Sequence, residues 1–270
     1  MLDELRKVGV LIKRNFRILF TYKVAFSANF LSMVFNFFYL VLFGTMFGEK
    51  TPSDIAMYGG NFISYLLVGS IGWSFLWGIM SATSSYIRIE MLGGTFEAIL
   101  LTPTKISTIV LAYTIFGSLF GLIPLALLFS VGYFSFGIVA FSGATFYTLV
   151  IFILSIALMA GFGMLFGGLE IWVKNIGMIV PLLQNVTMFF CGVYFPITVL
   201  PNYFQPIAKY IPFYYSIEGL RRTLIATSTA EIYGYIWKLL VMAIIFLFLG
   251  YYVLHRGLKK AKKDGSLSFY

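Results

Sequence analysis

Residues 106–132 read ISTIVLAYTIFGSLFGLIPLALLFSVG, without one Asp, Glu, Lys, Arg or His. A helix needs about 20 apolar residues to cross the hydrocarbon core, and a helix satisfies its own backbone amides where no water reaches. This run of 27 residues meets that need and predicts a transmembrane helix. Five further runs nearly free of ionisable residues lie at about 26–47, 60–83, 143–168, 176–195 and 236–254. The whole chain is 60% hydrophobic and 11% charged, with mean hydropathy +0.93. A soluble domain carries about 25% charged residues. The reading is an all-α membrane protein of six transmembrane helices, forming one domain over residues 1–270. Residues 26–254 form the bundle and 255–270 a basic tail, leaving no room for a sizeable soluble domain.

The net charge of +9 marks the cytoplasmic side of a membrane protein better than it marks a nucleic-acid partner. With the N-terminus inside, 14 of the 19 Lys and Arg fall on the cytoplasmic side and 5 on the other. Both termini are then cytoplasmic, as an even number of spans requires. Cys191 is the single cysteine, so no disulfide framework or cysteine metal cluster is expected. The N-terminus has no apolar core followed by small residues, which predicts no cleavable signal peptide. Instead Leu5, Val8, Ile12, Phe16 and Leu19 recur at helical spacing among Arg6, Lys7, Lys13, Arg14 and Arg17. Residues 1–25 therefore read as an amphipathic helix in the headgroup plane. The GxxxG pairs Gly44/Gly48, Gly117/Gly121 and Gly163/Gly167 read as helix packing.

What is missing narrows the function. No ionisable residue sits in the middle of a span, as ion-coupled carriers usually require. There is no GxxxxGK[ST] phosphate loop, and His255 is the lone histidine. A lipid-modifying enzyme would need converging acid, base or metal ligands, and the sequence offers none. A channel would need a charged ring or filter repeat. Uphill transport would draw its energy from a partner, whereas a non-transporting membrane anchor or assembly factor would need none.

Between the second and third runs lies EMLGGTFEAILLTPTK, Glu90–Lys105. Gly93 and Gly94 free the backbone to turn, Thr95 is a candidate cap, and Glu97 suits a first helical turn. Phe96, Ile99 and Leu100 share a face, and Pro103 stops the helix at or before Thr102. Physical chemistry leaves two roles open for this short amphipathic helix: lying on lipid, or docking into a cytoplasmic protein.

The stretch GGTFEAILLTPTK resembles the Gly-Thr-x-Glu…Leu-Leu-x-Thr-Pro motif that follows the second span in ABC-2 type transporter permeases. CGVYFPITVLPNYFQPIAKYIPFYYSIEGLRR, residues 191–222, resembles the family's proline-rich signature between the fifth and sixth spans. The order of the motifs and the topology fit along essentially the whole chain. The resemblance implies a permease that pairs with a second permease copy. It also implies a separate dimeric ABC ATPase carrying ATP and Mg, with no cofactor on this chain. Gly94, Thr95, Glu97 and Pro103 match the coupling helix that enters a groove of that ATPase; Glu90, Phe96 and Thr102 complete the coupling set. Phe96 departs from the leucine common in the family.

Pro196, Pro201, Pro206 and Pro212 interrupt the downstream segment, predicting short re-entrant helices. The resemblance makes this region the outer gate, with Pro196, Pro201, Pro212, Glu218 and Arg221 as its candidates. Glu218 lies three and four residues before Arg221 and Arg222, a helical pairing whose alternative is an ordinary surface ion pair. Polar residues within spans mark a candidate pathway: Asn29 and Asn36; Ser74 and Trp77; Gln184, Asn185 and Phe189. Helix–helix hydrogen bonding is their other reading. An uncharged, aromatic route suits a hydrophobic or amphiphilic cargo. The wording also resembles the daunorubicin/multidrug branch more than the polysaccharide or glycolipid branch. The implied location is a prokaryotic cell membrane.

Overall fold

The apolar runs fold as helices, and no strand occurs among the described residues. The computed structural model describes residues 2–46, 58, 62–136, 145–173, 176, 179–225 and 231–264. In chain order the helices are α1 Leu2–Thr21, α2 Lys23–Met46, α3 Phe62–Leu92, α4 Thr95–Leu101, α5 Ile106–Phe136, α6 Thr145–Val173, α7 Ile179–Phe190, α8 Gln205–Tyr210, α9 Pro212–Leu224 and α10 Ile232–Lys263. Among the described residues, α3, α5, α6 and α10 are long and apolar enough to cross a membrane. Shorter apolar stretches lie at Val34–Thr45 in α2 and Ile179–Phe190, the whole of α7.

Helix α3 is the centre. It packs on α2, α4, α5, α6 and α9, and most of its length is buried. The most extensive seam joins α6 to α10. There Gly161 and Gly168 of α6 meet Gly250 and Gly257 of α10. A Cβ at Gly257 would stand 2.6 Å from the Gly168 carbonyl oxygen, so only glycine lets the backbones come this close. Of the predicted small-residue pairs, Gly117/Gly121 and Gly163/Gly167 both press against α3. Gly48 lies outside the described residues.

Three expected boundaries move. The predicted span 176–195 contains α7, whose 12 residues extend about 18 Å, against a core of about 30 Å. Its helix stops because Gly192 adopts φ 68 and the chain turns towards Pro196. Helix α6 continues through Glu170 to Val173, beyond the expected break at 168. Glu170 is buried there, with Arg88 at 3.4 Å. Finally, α10 runs on to Lys263, so most of the expected tail is helix, with Leu258 and Ala261 buried.

Helix α1, expected to lie in a headgroup plane, packs against the bundle. Val8 is buried, and the Phe16 ring meets Phe116 of α5 edge-on at 4.9 Å. Leu5, expected on the apolar face, is exposed. Two core clusters result. One gathers the end of α3, α4, the start of α5, the end of α6 and the end of α10 around Phe96 and Ile109. The other surrounds α9 with the first half of α3 and the start of α10.

Candidate functional site

The first candidate site is the turn and helix between α3 and α5. The Gly93 amide donates to Ile89 at 2.9 Å and the Gly94 amide to Met91 at 3.1 Å. Gly94 takes φ 66, a left-handed conformation that glycine adopts without Cβ strain. It is Gly94, not Thr95, that occupies the N-cap position, and no side chain caps the helix. The Thr95 hydroxyl turns back to donate to the Glu90 carboxylate. At the other end, Thr102 is extended, with its amide donating to Ile99 and its hydroxyl to the same carbonyl at 2.6 Å.

The helix has two unlike faces. Phe96 is 0% exposed, inserted among Ile87, Met91, Ile109 and Tyr113. Ile99 and Leu100 lean on the same cluster. The apolar face, for which lipid and a partner groove were both open, packs inside the chain against α3, α5 and α10. The outward face carries Glu97, Ala98 and Leu101, followed by Thr102 and Pro103, all exposed. Leu101 is 86% exposed. Sequence reasoning did not single it out as a site residue, though a leucine opposite Phe96 on a short helix is a visible signal.

Glu90 belongs to the inner framework. It is 7% exposed and accepts from Arg14 in an ion pair, from Thr95, and from the Tyr113 hydroxyl at 3.4 Å. Arg14 thus ties α1 to the root of α4. A second tie is Lys7, whose ammonium donates to the Pro103 carbonyl at 2.8 Å and pairs with Glu4 at 2.8 Å. Thr108 of α5 donates to the other Glu4 oxygen. These bonds, Lys7 first and Thr108 next, hold the Glu4 carboxyl below its ordinary pKa.

The second candidate site lies at the opposite end of α3. Pro196 is buried, and Ile197–Val199 form a single 3₁₀ turn. Pro201 is exposed, and Pro212 occupies the first turn of α9. Nearly all of α9 is buried although it is polar. Glu218 accepts from the Tyr58 hydroxyl at 2.5 Å and from Arg222 at 2.9 Å. Burial, then the charge of Glu218, pushes the Tyr58 phenol above its usual range. Arg221 turns the other way. Its guanidinium donates to the carbonyls of Gly192 and Val193, both at 2.6 Å, and to the Tyr65 hydroxyl at 2.9 Å. Its carbon centre sits 3.6 Å from the Tyr65 ring centroid. Of the two candidate pairings of Glu218, the one to Arg222 forms.

A family model for ABC-2 type transporters matches residues 6–225, which spans both sites. The chain belongs to the ABC-2 type transporter family. It is a multi-pass membrane protein, the transmembrane subunit of an ABC-type transporter, in a family that works with an ABC ATPase subunit. No match was found among curated proteins.

The residues expected to line a pathway in this ABC-2 subunit are not gathered in one place. Asn29 and Asn36 lie on α2, where Asn36 is exposed and the Asn29 side chain is outside the described residues. Gln184, Asn185 and Phe189 lie on α7, which among the described residues packs extensively on no other helix. Phe189 stays half-exposed beside Phe195, 5.3 Å away. On α3, however, Ser74, Trp77, Ser81 and Ser85 follow a helical stripe that is the least covered side of an otherwise buried helix. Trp77 stacks on Trp73 at 5.6 Å.

Proposed function

We propose that this subunit couples ATP hydrolysis on a separate ABC ATPase to export of a hydrophobic or amphiphilic molecule. The exposed Glu97–Leu101 face of α4 carries this reading. It offers a carboxylate beside an apolar side chain, and the buried Phe96 and Glu90 hold both rigidly against the bundle. An apolar anchor with a polar rim is the usual form of a protein-binding hot spot. In this reading α4 faces the cytoplasm, both termini share that side, and ATP and Mg bind only to the partner. The chain crosses a prokaryotic cell membrane six times, with α2 and the whole 176–195 segment, α7 and the turn that follows it, completing the crossings of α3, α5, α6 and α10.

A second permease copy completes the pathway. Two features support it: α2 and α7 carry exposed apolar side chains such as Phe35, Tyr39, Leu182 and Val186, and α7 packs little on the other described helices. The serine and tryptophan stripe on α3 favours an amphiphile over a polysaccharide, because it mixes hydroxyls with aromatic surface and no charge until Arg88. Reconstitution in liposomes with an ABC ATPase subunit tests the reading. ATP-dependent movement of an amphiphilic dye is expected, and Trp77→Ala is expected to slow it several-fold. A permease that moves the dye equally well without the ATPase would refute the coupling.

A further inference from the structure

At the end of α3 opposite to α4, a cavity of about 290 Å³ opens between α9, the start of α10 and the 191–198 turn. A neighbouring cavity of about 430 Å³ shares Lys209, Tyr214 and Tyr235 with it, so the two form one cleft. The charge of this cleft is unbalanced. Among the described residues, Lys209, Arg221, Arg222 and Lys238 face it, against Glu218 and Glu231. Both carboxylates are already engaged by Arg222, at 2.9 Å and 2.8 Å.

Among the described residues, no carboxylate pairs with Lys209, Lys238 or Arg221. Arg221 is the sharpest case. It is 1% exposed, its charge is met only by two carbonyls, a phenol and a ring, and its Nε has no acceptor. A buried cation without a counter-charge is costly, and a bound anion nearby relieves that cost. Tyrosine rings in the cleft would also suit a cation. The excess of positive charge decides against one.

We propose that this cleft binds the anionic headgroup, a phosphate or carboxylate, of an amphiphile. Lys209 and Lys238 make the charge contacts, with Arg221, which no described carboxylate pairs, behind them supplying the positive field. The surroundings match a membrane-surface location. Tyr210, Tyr233 and Trp237, next in sequence to the lining residues Lys209, Gly234 and Lys238, are exposed, and they are of the residue types that collect at the headgroup level. A soluble anion shares the headgroup's chemistry, so the test separates the two sources. The proposal does not depend on ATPase coupling, and its test omits the ATPase.

The full chain in a neutral detergent is titrated calorimetrically with dihexanoyl phosphatidylglycerol, dihexanoyl phosphatidylcholine and inorganic phosphate. Saturable binding of the phosphatidylglycerol is expected, with none of the phosphatidylcholine. Lys209→Ala with Lys238→Ala should weaken it at least about tenfold, the usual scale for losing charge-assisted contacts. Both lysines are exposed and the Lys209 contact to Tyr215 uses its backbone carbonyl, so the fold tolerates the change. Inorganic phosphate binding as tightly as the lipid would keep the site and assign it to a soluble anion. Equal binding of the two lipids, or wild-type affinity in the double variant, would overturn the proposal.

Discussion

Replacing Glu90 separates an internal clamp from a docking residue. Its carboxylate receives the Arg14 guanidinium, the Thr95 hydroxyl and, at 3.4 Å, the Tyr113 hydroxyl. A hydrogen bond to a charged group contributes about 1.5–3 kcal/mol net. The Arg14 side chain is one-third exposed, so water recovers part of its share, and the Tyr113 contact is long. Glu90→Gln should therefore cost about 2 kcal/mol, concentrated at the root of α4. In a cycle with Arg14→Met, the coupling energy should be about 1 kcal/mol. Hydrogen exchange in detergent reads the local effect. Amides of α4 should exchange about 10–30-fold faster in Glu90→Gln, while those in the middle of α6 stay protected. If α4 exchange is unchanged and binding to the ATPase is lost instead, Glu90 is a docking residue and the clamp assignment is wrong.

Two further predictions concern packing and pH. Gly250→Val drives a side chain into the Gly161 backbone, and overpacking a backbone seam should cost about 3 kcal/mol, seen as loss of the monodisperse peak on size exclusion. Gly234→Val, at a position with open space around its Cα, is the control and should elute normally. Glu4 has a depressed pKa in the folded protein, so its stabilising effect is full above the ordinary glutamate range and lost as pH falls through the depressed value. Protection factors of α1 amides, corrected for the intrinsic exchange rate, should therefore fall as pH drops below the ordinary glutamate range, and Glu4→Gln should remove that loss.

The apolar runs made α3, α5, α6 and α10 readable, because twenty residues without charge have few fates other than a span. Gly93, Gly94 and Pro103 likewise bounded α4 closely. What spacing did not reveal was which side of α4 faces inward. It groups Phe96 with Ile99 and Leu100, but the burial of that face depends on Ile109 and Leu258, remote in sequence. The shortening of the fifth apolar run has a similar cause. Nothing in its composition distinguishes Gly192 from the glycines inside α6; only the turn into Pro196 requires its positive φ. The glycine seam pairs Gly161 with Gly250, residues that no local pattern connects. For Arg221, helical spacing allowed a bond to Glu218. The carbonyls of Gly192 and Val193 won because that segment is not helical, so no helical amide occupies them.

Co-purification with an ABC ATPase subunit tests the central claim most directly. Glu97→Lys and Leu101→Asp alter only the outward face of α4 and should each abolish association. Phe96→Leu, an inward change that keeps an apolar side chain, should preserve it. Wild-type association in both outward variants would contradict the assignment of α4 as the docking element.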